Sequence, residues 1–156
     1  QKCYACHNTA HVPVTAALEL KARHGIAGAD IAEISVASSE KMVSHHNILE
    51  PNDVMMAQYS APFCVALAFF RDPLDPRVFS EQSLNDPAIR ALCRKVKLDV
   101  LTGTDNEKAS RVSVTLKDGR KFTGKVIGSD RRAWNTSRAC RSNRWTETNC
   151  AINLIP

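Results

Sequence analysis

At 156 residues the chain is the size of one domain, long enough to bury about two-thirds of its unfolded surface. Hydrophobic residues make up 44% and charged residues 24%, an ordinary globular balance, and no apolar run approaches the roughly 20 residues needed to cross a membrane. The net charge of +5 favours anionic partners, but much of the excess is a late cluster of Arg131, Arg132, Arg138, Arg141 and Arg144. With no aromatic-basic array or helix-turn-helix signature, nucleic acid is not the expected partner.

Six cysteines would suffice for three disulfides, yet their spacing is not that of a framework. Cys64 and Cys93 sit inside apolar helical patterns, where cysteine behaves as a small buried hydrophobe, so a reducing cytoplasmic setting is expected. The chain lacks an initiator Met and opens on its densest motif, and we read it as part of a longer protein.

That opening, QKCYACHNTAH, holds Cys3-Tyr4-Ala5-Cys6-His7, the C-x-x-C-H spacing of covalent haem attachment. Cys3, Cys6, His7 and His11 also offer zinc-ligand chemistry, crowded into nine residues with no second pair to complete a structural site. A third reading sets Lys2 five residues before His7, two groups able to hold the carboxylates of an organic acid. Charge-assisted bonds of that kind are worth about 1.5–3 kcal/mol each. A histidine placed there would also donate or accept a proton, typically worth about 10²–10⁴-fold in rate.

Val12 to His24 predicts a helix, with Pro13 in its first turn and Gly25 as its stop. DIAEISV, residues 30–36, alternates as a half-buried strand. Ser38 to Asp53 reads as a polar, irregular loop in which His45 and His46 are solvated. Asp53 caps a nearly all-apolar helix from Val54 to Phe70, broken near Ser60 by Pro62; Met55, Met56, Phe69 and Phe70 are core candidates, and Tyr59 and Ser60 lie at the kink beside Phe63. RDPLDP, 71–76, is a turn, and Val78 to Val96 is helical in two pieces split at Asn85-Asp86-Pro87. Lys97 to Leu101 reads as a strand, and Arg111–Leu116 with Arg120–Val126 form a hairpin around Lys117-Asp118-Gly119. The fold class is α+β, an antiparallel-containing sheet packed against helices on one face.

Lys2-Cys3-Tyr4-Ala5-Cys6-His7, a long helix, DIAEISV and Ser60-Ala61-Pro62-Phe63-Cys64-Val65-Ala66, in that order, resemble the second, C-terminal domain of the MmgE/PrpD family. That family includes 2-methylcitrate dehydratases and cis-aconitate decarboxylases. Its members open this domain with K-x-Y-x-x-C-H or a close variant, and continue with helices like DPRVFSEQSLNDPAIRALCRKV and a DGR-type hairpin. The resemblance covers roughly residues 1–127, giving a domain over 1–128 and a divergent tail over 129–156.

The resemblance implies the small lid domain of a two-domain, metal-free and cofactor-free lyase, generally a cytoplasmic homodimer. An absent helical N-terminal domain would carry most of the catalytic groups. The expected reaction is dehydration of 2-methylcitrate or a related hydroxy acid, a step of propionate metabolism. Lys2 and His7 would hold the substrate carboxylates and serve catalysis, with Tyr59, Ser60 and Phe63 lining the cleft. Two features depart from the family. Phe63 stands where S-x-x-Y carries a tyrosine, and the Arg/Trp/Cys-rich tail replaces a Gly/Pro-rich stretch and final helix, as a frameshift near Gly128 would produce. Two alternatives stand beside the lyase: a c-type haem electron carrier through Cys3, Cys6 and His7, and a non-catalytic homologue used for binding or dimerisation.

Overall fold

The computed structural model describes residues 4–102 and 109–127. Lys2, Cys3 and the expectation of a divergent tail over 129–156 lie outside the described residues. The first helix, α1 (Asn8–His24), begins four residues before the expected Val12. His7 is the reason: its ring accepts from the Thr9 N–H and so caps the helix start. Pro13 therefore sits inside the helix rather than in its first turn. The helix stops at Gly25, whose φ of 62° is the left-handed cap conformation and whose N–H returns to the Lys21 carbonyl.

Strand β1 (Ile31–Ser38) follows, with a bulge between Ile31 and Glu33. The extra residue resets the alternation, so that Ile31 and then Ile34, Val36 and Ser38 all face inward. The stretch expected to be irregular contains a short helix, α2 (Glu40–His45), capped by the Ser39 hydroxyl on Met42 N–H. Asp53 caps α3 (Val54–Tyr59) as expected, and the helix breaks at Ser60 before α4 (Ala61–Ala68). The two halves differ in burial. Every residue of α4 is buried, whereas Met55 of α3 is 69% exposed and Met56 also faces solvent, so neither belongs to the core. Phe69 is buried and Phe70 half-buried against the same core.

The split at Asn85-Asp86-Pro87 separates α5 (Glu81–Leu84) from α6 (Pro87–Arg94), which Asp86 caps. Strand β2 (Val96–Val100) then runs parallel to β1, with Ile34 beside Val96 and Val36 beside Leu98. The hairpin forms from β3 (Ala109–Leu116) and β4 (Lys121–Ile127), turning at Gly119 with φ 93°. The sheet order is β2-β1-β3-β4, with β1–β3 and β3–β4 antiparallel. The protein is thus an α+β fold with a mixed sheet.

Val112, Val114 and Leu116 of β3 face the helices with Ile34 and Val36, while Glu33, Ser35, Arg111, Ser113 and Thr115 stay at least partly exposed on the other face. Helix α1 crosses β3 and β4 so closely that a Cβ built on Gly124 would stand 3.2 Å from Leu20 Cγ. His24 stacks on Phe122 at 4.1 Å at the end of the same crossing. Lys21 reaches across to donate to the Ala68 carbonyl, tying α1 to the end of α4. Among the described residues no helix is long and apolar enough to cross a membrane.

Leu20 is buried between α1 and the sheet. Leu20→Ala is expected to lower the unfolding free energy by about 2–5 kcal/mol, read as a shift of the urea midpoint at constant slope.

Candidate functional site

The break between α3 and α4 creates the site. In a continuous helix the Gln58 carbonyl would accept from residue 62, but Pro62 has no N–H to give. The freed Gln58 carbonyl accepts the His7 N–H instead, at 2.8 Å. One residue on, the Tyr59 carbonyl would take the Phe63 N–H, which is diverted to the Ser60 hydroxyl at 3.0 Å. The Tyr59 carbonyl is left for His46, whose Nδ1–H donates to it at 3.0 Å. The Ala61 N–H donates in turn to the His46 carbonyl, at 3.0 Å. The groups released by one proline are therefore taken up by two histidines distant in sequence.

Those bonds draw three rings together. His7 and His46 stack with centroids 4.3 Å apart and an interplanar angle of 27°. Tyr59 lies tilted beside His7 at 5.0 Å and 6.1 Å from His46. His46 is only 7% exposed, whereas Tyr59 is 47% exposed at the mouth. The Tyr59 hydroxyl makes no hydrogen bond to the described residues. Because a carbonyl only accepts, His46 in its neutral form carries its proton on Nδ1 and leaves Nε2 as an acceptor. His7 has the opposite arrangement. Its Nδ1 accepts the Thr9 N–H at 3.4 Å and lies 2.9 Å from the Thr9 hydroxyl, so neutral His7 carries its proton on Nε2.

The surrounding structure fixes both segments. Tyr4 packs edge-on against His11 at 5.2 Å, and its hydroxyl meets that of Thr15 at 3.0 Å. His11, weighed as a zinc ligand, is buried and donates from Nε2 to the Cys6 carbonyl at 3.3 Å. The loop from His46 to Asp53 is held by its own carbonyls: Ile48 accepts from Ser60 Oγ, Leu49 from Cys93 Sγ at 3.2 Å and Pro51 from Arg90 at 3.1 Å.

Of the residues expected at the site, the structure brings His7 and Tyr59 together and places Ser60 and Phe63 beneath them. Ser60 is fully buried, capping α4 and bonding the Ile48 carbonyl; Phe63 is 1% exposed and packs in the core. His46, read as solvated, is the correction. It caps the end of α2 and turns inward while His45 points to solvent. Successive residues at a helix end project about 100° apart, so the two histidines meet different surroundings, and packing selects which is buried.

The three described cysteines are core. Cys6, Cys64 and Cys93 are free thiols and all buried. The Cys64 thiol is hydrogen-bonded to that of Cys6, which with burial pushes its pKa well up, and Cys64 also donates to the Ala57 carbonyl at 3.4 Å. Burial raises Cys93 to about 12, partly offset by Arg90 and Arg94. Cys6 thus faces inward toward Cys64, away from the position a thioether-linked porphyrin would require.

The profile of the MmgE/PrpD C-terminal domain matches residues 4–132. The chain belongs to this family, which is known for lyases of the dehydratase type. Lys2 precedes the matched span. No curated protein matches the chain.

Two outcomes follow. Ser60→Ala removes one buried donor and one cap acceptor, with an expected loss of about 1–3 kcal/mol in chemical denaturation. At pH 8, Cys6, Cys64 and Cys93 should resist iodoacetamide in the folded chain and all alkylate in guanidinium, as mapped by peptide mass spectrometry.

Proposed function

We propose that this chain is the lid domain of a hydro-lyase acting on a small polycarboxylic acid such as 2-methylcitrate or a related hydroxy acid. The observation that supports this reading most is the tautomer of His7. With Nδ1 accepting at the start of α1, neutral His7 carries its proton on Nε2, the tautomer that can donate to a carboxylate or a departing hydroxyl. The Tyr59 hydroxyl is a second donor beside it, and Lys2, five residues before His7, supplies the cation. A cation and two further hydrogen-bond donors suit a substrate with several carboxylates.

In the reaction a base removes the proton next to one carboxylate, and the hydroxyl leaves the neighbouring carbon with a proton from an acid. The base comes from the helical domain of the longer protein. Lys2 and His7 hold the carboxylates so that the breaking C–H bond faces that base, and closure of the lid excludes water. The two domains and the homodimer of the family make up the working assembly, with cytoplasm as its compartment. A second reading, a non-catalytic binding or dimerisation module, draws on Phe63, which leaves the family's tyrosine position without a hydroxyl. Haem attachment is not carried forward, because Cys6 is buried against Cys64.

The test is calorimetric titration of the chain with tricarballylate, followed by a dehydratase assay at 240 nm with and without the helical domain. Binding by the chain alone is expected, with turnover only when the helical domain is supplied. His7→Ala should weaken binding by about tenfold or more, and Tyr59→Phe by about three- to tenfold. Binding without turnover in the two-domain protein would favour the non-catalytic reading. Binding that ignores His7→Ala would sink the site assignment.

A further inference from the structure

The geometry points to His46 as a positioning residue for His7: its anchored imidazole is the platform that sets the plane of the His7 ring. This inference rests on the reading of His7 as a carboxylate donor. His46 is itself held at three points. Its N–H donates to the Met42 carbonyl at 2.9 Å, its carbonyl accepts from Ala61 at 3.0 Å and its Nδ1–H donates to Tyr59 at 3.0 Å. Those bonds come from α2, α4 and α3 respectively, so the ring is fixed to three elements at once. It is also buried, and the face it presents is covered by His7 at 4.3 Å.

The consequence for His7 is geometric. An imidazole has broad freedom about its second side-chain torsion unless a neighbour restricts it. The Thr9 contacts fix where Nδ1 lies, and a flat, immobile ring 4.3 Å away fixes the plane in which Nε2–H points. The hydrogen bond to Tyr59 anchors this platform to the end of α3.

Two variants separate the ring from the hydrogen bond. His46→Phe keeps a flat ring under His7 and loses the donor. His46→Asn keeps an amide donor for the Tyr59 carbonyl and loses the ring. The readout is the His7 Hε1 resonance in ¹H–¹³C spectra of the full 156-residue chain, with its ring-to-ring NOEs. In the wild type His7 Hε1 should be displaced by its neighbour's ring current and show NOEs to His46. The displacement should persist in His46→Phe and collapse in His46→Asn. Tricarballylate affinity should then fall about tenfold in His46→Asn and stay within about threefold in His46→Phe.

A His7 resonance that is unchanged in His46→Asn overturns the proposal, as does one that moves equally in both variants. If His46→Asn does not fold, the wild-type NOEs and His46→Phe decide, and absence of the NOEs overturns it. Should the His7 signal follow the ring while no variant binds tricarballylate, the positioning role stands and the polycarboxylate reading fails.

Discussion

Everything at the site depends on the hydrogen bonds that Pro62 leaves unmade. A helix interrupted in its interior frees carbonyls that must find other donors, since a buried carbonyl without a partner costs about 1–3 kcal/mol. Here the donors are the His7 backbone and the His46 ring, from segments about fifty and thirteen residues away. The cost of breaking the helix is thus offset by joining the start of α1 and the end of α2 to one point. The Ser60 hydroxyl completes the exchange by accepting the Phe63 N–H and bonding the Ile48 carbonyl.

That junction is tied rigidly to the sheet. Helix α1 carries His7 at its first turn and Leu20 near its last, and Leu20 lies on β4 at a glycine. Displacing α1 would therefore disturb the core before it moved the site. The bulge in β1 serves the same packing by keeping Ile31 and Ile34 on one face. The opposite, polar face of the sheet makes no comparable demand, and Glu33 and Lys97 pair there across 3.0 Å in exposed positions worth little to stability.

Membership in the MmgE/PrpD family places this architecture among lyase domains, and the local chemistry is compatible with that work. In their neutral forms the two imidazoles carry opposite tautomers, each set by a backbone partner, with a phenol at their edge. The two cysteines that made the opening motif look like haem attachment divide differently. Cys6 is packing for the site floor against Cys64, and Cys3 lies outside the described residues.

Local chemistry made much of the fold readable in the linear chain. Gly25 and Gly119 marked a helix stop and a hairpin because positive φ favours glycine, Asp53 marked a cap, and prolines 62 and 87 marked the breaks. Strand alternation gave the inward face because the side-chain period is two. His7 and Tyr59 were legible as candidates, one from its motif and one from its place at a kink, and the fold brings their rings together. The start of α1 was not legible, because histidine is an uncommon cap and Pro13 suggested a later beginning. Nor were the burial of His46 and the exposure of Met55, since neither residue type nor spacing says which side of a short helix meets the core. Those choices belong to long-range packing: which free carbonyl a distant donor reaches is settled when α1, α2 and the broken helix meet, and no local pattern encodes it.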